Sequence, residues 1–288
     1  MKNVILGAAG QLGRDLASCL PGEVVALTRG QADLTEPAVL RRVLSELAPW
    51  AVFNCAAYNF VDRAETEREA AFAVNAWALR ELSAICRDLG CLLVSFSTDH
   101  VFGLDKGRQT PYAEMDAPGP LSVYGLSKLA GEYVVRAGCP KHLVIRTCGL
   151  YGVWGSGGKG GNFVETMIRL AQEGKPLRVV NDQVCTPSFT ADVAAASVAL
   201  AQLEKYGLFH ITNSGACSWY EFASAILEGA GISADITAIT SEQFGAAALR
   251  PAFSVMSSAA YESLGLPRPR PWQEAIAAYL AERGRVKK

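Results

Sequence analysis

Short apolar runs alternate with longer amphipathic stretches through the first half of the chain. Asn3 to Leu6, Glu23 to Leu27, Ala51 to Cys55, Leu92 to Phe96 and His142 to Arg146 are runs of strand length. Between them, Gln11 to Leu20, Pro37 to Leu47, Glu65 to Leu89 and Ser122 to Ala137 repeat apolar positions near the 3.6-residue period of a helix. Strands alternating with helices of crossover length predict an α/β fold, a Rossmann-type doubly wound parallel sheet. After Arg146 the rhythm changes. A glycine-rich stretch from Gly152 to Gly161 precedes a helix over Asn162 to Glu173 and short strands near Leu177 to Val180 and Leu208 to Thr212. These pieces predict a smaller, interleaved C-terminal lobe over the sheet edge. The basic end, Arg283 to Lys288, reads as a frayed, helix-breaking tail.

With 288 residues, 50% of them hydrophobic and 19% charged, the chain can bury a large core without disulfides or metal. Its formal charge is −1 and it has no run of five like charges, which offers nothing to a nucleic acid or a membrane surface. The apolar opening Val4-Ile5-Leu6 meets glycine at once, too short for a signal core or a membrane span, so a cytoplasmic location is expected. Eight cysteines are scattered without CxxC spacing and read as free buried thiols. Three histidines lie far apart, and none sits in an HxxxH pattern that would support a catalytic metal.

The first strand ends in Gly7-Ala8-Ala9-Gly10-Gln11-Leu12-Gly13 and a helical pattern follows within the same turn. Glycines there allow a sharp turn, close approach of backbone N–H groups to a pyrophosphate, and tight packing of helix on strand. Residues 1–151 are therefore expected to form a dinucleotide-binding domain. Segments near 184–212 should return to it, and 152–288 should be mainly a substrate-binding lobe. The second strand ends Leu27-Thr28-Arg29 with no acid to hold a ribose 2′-hydroxyl. A hydroxyl and a guanidinium suit a 2′-phosphate, so NADPH is the expected cofactor, with NADH still open.

Tyr124-Gly125-Leu126-Ser127-Lys128 is the most specific chemical pattern. Positions i and i+4 share a helix face, which brings a lysine ammonium beside a phenol and is expected to lower a pKa of about 10 so that a proton can be traded with a carbonyl. The strand before that helix runs into Ser97-Thr98-Asp99-His100-Val101-Phe102, at the edge where doubly wound sheets place ligands. A Thr98 hydroxyl there can hold a substrate carbonyl.

Taken together with Asn54-Cys55-Ala56-Ala57-Tyr58, Val61-Asp62-Arg63-Ala64-Glu65, Lys128-Leu129-Ala130-Gly131-Glu132, Arg146-Thr147, Gly161-Asn162-Phe163, Ser218-Trp219 and Arg250-Pro251, these motifs resemble the dTDP-4-dehydrorhamnose reductase family of extended short-chain dehydrogenase/reductases over nearly the whole chain. The resemblance implies NADPH-dependent reduction of the C4 keto group of a nucleotide-linked 6-deoxy sugar. It makes Thr98, Tyr124 and Lys128 catalytic, with Lys128 also on the nicotinamide ribose. It places Gly7, Gly10, Gln11, Leu12, Gly13, Thr28, Arg29, Asp33, Leu34, Ala56, Ala57, Tyr58 and Asn75 at the cofactor, and Thr98, Asp99, Tyr124, Asn162 and Arg250 at the substrate. Asn75 could equally be an internal polar link, Asn162 a helix cap, Arg250 a surface ion-pair residue and Asp33 a helix N-terminal or turn acid. A nucleotide sugar is the expected partner, with a homodimer as an open possibility.

The family usually has tyrosine where this chain has His100, and an aromatic where it has Gly149. Loss of that aromatic predicts a wider, wetter sugar end, which Gly149→Trp would either refill or block. Two further readings stay open: an epimerase or other keto-sugar reductase on the same fold, and a non-catalytic subunit like the methionine adenosyltransferase β-subunit.

Overall fold

The computed structural model describes residues 1–155 and 161–286; residues 156–160 of the expected glycine-rich stretch and residues 287 and 288 of the expected tail lie outside the described residues. The first half runs β1 (Lys2–Leu6), α1 (Gln11–Cys19), β2 (Glu23–Leu27), α2 (Pro37–Leu47), β3 (Ala51–Asn54), α3 (Arg68–Phe72), α4 (Ala78–Leu89), β4 (Leu92–Thr98), α5 (Val123–Gly138) and β5 (His142–Thr147). The second half continues β6 (Leu150–Tyr151), α6 (Phe163–Gln172), β7 (Leu177–Val180), β8 (Val184–Cys185), β9 (Ser188–Phe189), α7 (Thr190–Gln202) and β10 (Gly207–His210). It ends β11 (Cys217–Ser218), α8 (Trp219–Gly229), β12 (Ile236–Ile239), α9 (Ser241–Phe244), α10 (Ala259–Glu262) and α11 (Trp272–Val286).

Six strands form one parallel sheet in the order β10-β5-β4-β3-β1-β2. The chain moves outward from β1 to β2 and then crosses back to β3, so the strand order reverses at β1 and opens a crevice at the carboxyl ends. Side chains alternate between two apolar layers. Val4, Leu6, Val52, Leu93 and Val144 pack with Leu40, Leu82 and Val135 of α2, α4 and α5. Ile5, Phe53, Val94 and Ile145 pack with Leu12, Leu16 and Val193 of α1 and α7. Each such burial contributes about 1.5–3 kcal/mol, and a one-residue slip would exchange the two sets, so the register is firmly set.

The smaller lobe pairs β7 with β12 and β8 with β11 around a core that includes Tyr151, Phe222 and Trp272. The C-terminal segment differs from the sequence expectation. Instead of a frayed tail, α11 continues to Val286, because buried Ala275, Ile276 and Tyr279 give it a core-facing stripe. Arg283 then anchors it, its Nε donating to Glu165 Oε1 at 2.5 Å beside the Tyr279 hydroxyl at 2.6 Å.

The single helix expected from Glu65 to Leu89 is also interrupted. A 3₁₀ turn at Arg63–Glu65, α3, a π-helical turn at Ala73–Trp77 and α4 follow one another. The wide turn carries Asn75 inward, 1% exposed, where it binds the backbone of Tyr58 in both directions at 2.9 Å and donates to Ser127 Oγ at 3.0 Å. Gly131 of α5 faces the same turn, and a Cβ on it would land on the Asn75 carbonyl oxygen.

Gly131→Ala is therefore expected to destabilise the fold by about 1–3 kcal/mol. Gly284→Ala, where a Cβ meets nothing within 4 Å, should be neutral or stabilising by up to ~1 kcal/mol. Urea midpoints of the two variants check this; equal shifts would refute the close-approach argument.

Candidate active site

A cleft of about 480 Å³ lies over the carboxyl ends of the sheet strands, at the reversal of strand order. One wall is the glycine turn. Gly7 sits at φ +73°, and a Cβ there would fall 2.7 Å from Ala56 N. A Cβ on Gly13 would fall 2.8 Å from the Gly7 carbonyl oxygen. Gly10 heads α1 with no side-chain cap, so the N–H groups of the first turn remain for a ligand, and Gly10, Gln11, Leu12 and Gly13 all line the cleft. A bare helix N-terminus in a cradle that only glycine fits suits a dinucleotide pyrophosphate.

The remaining residues expected at the cofactor divide by position. Ala56 and Ala57 line the cleft. Tyr58 is held behind them by Asn75, whose amide is engaged as the internal link described above. At the end of β2, Thr28 bonds Gln31 through both its N–H and its hydroxyl at 2.9 Å. Arg29, its side chain 84% exposed, donates from Nε to Asp33 Oδ2 at 2.7 Å. Burial works to raise the Asp33 carboxyl, but bonds from Thr35 and Arg29 outweigh it and hold the group below the usual range. Leu34 is buried in the layer under α2.

Tyr124 and Lys128 are both presented by α5. Ser122 caps it by accepting from Gly125 N at 3.1 Å, and Glu65 Oε1 accepts from Val123 N at 2.9 Å. Gly125 lets the helix seat on the turn after β4, since a Cβ there would strike the His100 carbonyl oxygen. Tyr124, Lys128 and Glu132, spaced four residues apart, follow one face. Lys128 is 6% exposed and donates from Nζ to the Phe96 carbonyl oxygen at 2.6 Å. Burial pulls it down to about 8, opposed by Glu132 and Cys55.

Tyr124 departs from the sequence expectation. Its phenol is pushed up to about 12, first by burial, with Asp99 adding to the rise and a hydrogen bond with Thr98 working against it. Desolvation outweighs any help from the lysine, whose ammonium is turned to the Phe96 carbonyl. Thr98, at the end of β4, accepts from His100 N at 3.2 Å and donates to Asp99 Oδ1 at 3.1 Å. Ser254 Oγ holds the other Asp99 oxygen at 2.7 Å. The His100 ring stands edge-on to Tyr124 with centroids 5.5 Å apart.

Of the two residues expected at a sugar diphosphate, Asn162 is on the cleft wall. It also caps α6 through Glu165 N at 3.0 Å and donates to the Gly152 carbonyl at 2.9 Å. Arg250 is outside the cleft lining, its guanidinium donating to Asp62 Oδ1 at 3.1 Å and Oδ2 at 2.8 Å. The sequence pattern gave no site role to Phe163 and Thr166, which also line the cleft. It also gave no role to Glu65, which caps α5; an acid far from that helix in sequence carries no local signal of it.

The family described as RmlD substrate binding domain matches residues 1–284 of the chain. The spore coat polysaccharide biosynthesis protein SpsK of Bacillus subtilis is 40% identical over 285 residues, covering 98% of each chain. The dTDP-4-dehydrorhamnose reductase of Mycobacterium tuberculosis is 39% identical, covering 96% of this chain and 92% of its own. The crystal structure of dTDP-4-dehydrorhamnose reductase from Bacillus anthracis in complex with NADP superposes with a TM-score of 0.92 at 35% identity, covering 98% of this chain and 99% of that one.

Gly149, on the cleft wall, is not an open gap. Its φ is +48°, and a Cβ would fall 3.0 Å from Trp219 Cη2 and 3.3 Å from Pro187 Cα. Trp219 in turn packs on Phe163 with ring centroids 4.7 Å apart. The Trp219 ring thus stands behind Gly149. Gly149→Trp is expected to destabilise the protein by about 1–3 kcal/mol and to lower activity on every acceptor, through left-handed backbone strain and overpacking. Thermal melts and steady-state constants check it, and a variant of unchanged stability with raised kcat/KM would refute it.

Proposed function

The chain belongs to the dTDP-4-dehydrorhamnose reductase family, and from that premise we propose that it reduces the C4 keto group of a nucleotide-linked 6-deoxy sugar, dTDP-4-dehydrorhamnose to dTDP-L-rhamnose. The observation that carries this reading is that the glycine turn, Thr98, Tyr124 and Lys128 line one cleft over the carboxyl ends of the sheet, a hydroxyl, a phenol and an ammonium beside a cradle suited to a dinucleotide.

NADPH, when bound, supplies the hydride that adds to C4 of the sugar. The chain's own residues do the rest. Thr98 holds the keto oxygen and Tyr124 donates its proton to it as the hydride arrives, so ketone becomes alcohol. Lys128 binds the nicotinamide ribose. Gly7, Gly10, Gln11, Leu12 and Gly13 receive the pyrophosphate, with Ala56, Ala57, Tyr58 and Asn75 shaping that side directly or from behind. Thr28 and Arg29 take the 2′-phosphate, and Asp33 and Leu34 border the adenine. Asp99 and Asn162 border the sugar nucleotide, and Arg250 reaches its diphosphate by exchanging Asp62 for phosphate. In this reading residues 1–151 are the dinucleotide-binding domain, with segments near 184–212 returning to it, and 152–288 are mainly the substrate lobe. The enzyme works in the cytoplasm, in keeping with eight free thiols. It works as a homodimer, for which exposed Leu126 and Tyr133, two turns apart on α5, offer a shared face.

NADPH absorbance followed with dTDP-, UDP- and GDP-linked 4-keto sugars tests the function directly. Consumption with the dTDP sugar is expected; interconversion of sugars with tightly retained cofactor and no net consumption would point to an epimerase instead. Tyr124→Phe should lower turnover by about 10²–10⁴-fold while NADPH affinity stays within a few-fold. Near-full turnover in that variant would remove Tyr124 from the mechanism. Arg29→Ala should narrow the preference for NADPH over NADH by about ten-fold, the effect of losing one charge-assisted phosphate contact. Equal use of both cofactors by the wild type would contradict this assignment.

A further inference from the structure

Ser254 lies far along the chain from Thr98 and Asp99, yet its hydroxyl ends beside them. It sits on an extended segment locked from two sides. Val184 N donates to the Ala252 carbonyl oxygen at 2.8 Å, and Ser254 N donates to that of Val184 at 2.9 Å. Tyr112 N then donates to the Val255 carbonyl oxygen and Ser257 N to that of Tyr112, both at 2.8 Å. With its flanks paired to β8 and to Tyr112, and only 3% of its surface exposed, Ser254 has little freedom in where it puts its hydroxyl. It donates to Asp99 Oδ2 at 2.7 Å, across 155 residues of sequence.

Asp99 and Thr98 are buried with it, 5% and 6% exposed, so a serine, a carboxylate and a threonine stand in series at the cleft wall. The bond lengths show where the carboxylate is engaged. At 2.7 Å the Ser254 bond has the length of a strong hydroxyl–carboxylate bond, whereas Thr98 Oγ1 to Asp99 Oδ1, at 3.1 Å, is longer than is usual between two oxygens. The Cys148 thiol is a further, weaker donor to the same carboxylate. Thr98 has a single hydroxyl hydrogen to give, with His100 N at 3.2 Å and the Tyr124 hydroxyl as its other neighbours. A carbonyl oxygen entering the cleft must draw that one hydrogen away from Asp99.

We propose that Ser254 is a positioning residue for Thr98: by anchoring Asp99 it keeps the carboxylate from closing on the threonine hydroxyl, and so leaves the Thr98 hydrogen free for a substrate carbonyl oxygen. The proposal rests on the reductase reading for what Thr98 meets. Without the Ser254 hydroxyl, Asp99 is a buried carboxylate short of a donor, and Thr98 is at hand to supply one. A carboxylate that tightens on Thr98 then competes with the substrate for the same hydrogen.

A hydroxyl that only satisfied a buried carboxylate would register in stability alone. One that governs Thr98 acts where negative charge develops on the carbonyl oxygen during hydride transfer, so its loss falls on kcat more than on KM.

Two measurements test the proposal. In crystal structures of the ligand-free wild type and Ser254→Ala, the separation between Thr98 Oγ1 and Asp99 Oδ1 should shorten from 3.1 Å to about 2.7 Å in the variant. Steady-state constants on the 4-keto sugar should show kcat lowered about ten-fold or more in Ser254→Ala, with KM within about three-fold. Ser254→Thr, which keeps the hydroxyl, should recover most of the loss. In an Asp99→Asn background, where the competing charge is gone, removing the Ser254 hydroxyl should alter kcat by less than about two-fold. If Ser254→Ala does not fold, Ser254→Cys, with a weak donor of similar size, carries both measurements with smaller changes in the same directions. An unchanged separation, an unchanged kcat in a folded variant, a loss carried by KM alone, or full additivity with Asp99→Asn would overturn the proposal. A wild type inactive on every 4-keto sugar would defeat the reductase reading, while the pair of crystal structures would still decide whether Ser254 governs the Thr98 contact.

Discussion

Lys128 holds its amine where 6% of its surface meets water, and burying an ammonium costs several kcal/mol unless acceptors and opposite charge meet it. Much of the molecule around the cleft answers that demand. The Phe96 carbonyl is the acceptor, Glu132 the opposite charge, and Arg146 the partner that keeps Glu132 from being a buried charge of its own. Arg146 needs an acceptor in turn, which β10 supplies by bringing His210 to the sheet edge beside β5. A late segment of the chain is thus joined to the sheet by electrostatic need as well as by backbone pairing.

Helix α5 must also sit close enough to the sheet and to its neighbours for these distances to hold. Glycines on two of its faces permit it, Gly125 against the turn after β4 and Gly131 against the π-helical turn. Asn75 then ties α5, through Ser127, to the backbone of Tyr58 on the side of the glycine turn. The two ends of the expected cofactor site are in this way set by one helix.

The sheet, its flanking helices and the Tyr124 and Lys128 pair were legible because each is a local pattern: a strand-length run, a 3.6-residue period, a four-residue spacing. What was not legible depends on partners remote in sequence. The Asp62 and Arg250 pair joins residues 188 apart, so sequence could offer Arg250 to a phosphate but could not see the carboxylate that holds it. Asn75 reads equally as cofactor contact or internal link until the π-helical turn points it inward. The phenol's rise went the other way from the expectation because a four-residue spacing reports a neighbouring charge and says nothing of desolvation. The tail looked helix-breaking from its last residues, yet the stripe through Ala275, Ile276 and Tyr279 decided its structure.

The contact between Gly149 and Trp219 has a consequence for how such a pocket can diverge. The two positions lie far apart in sequence but compete for one volume, since a Cβ at 149 would meet the tip of the Trp219 ring at 3.0 Å. Their substitutions are therefore epistatic: bulk at 149 becomes tolerable after position 219 has shrunk and the backbone has left φ +48°. Mutational routes that exchange one aromatic wall for the other must take those steps in that order, and a lineage holding Gly149 with Trp219 is confined to its own neighbourhood of sequences until position 219 changes first.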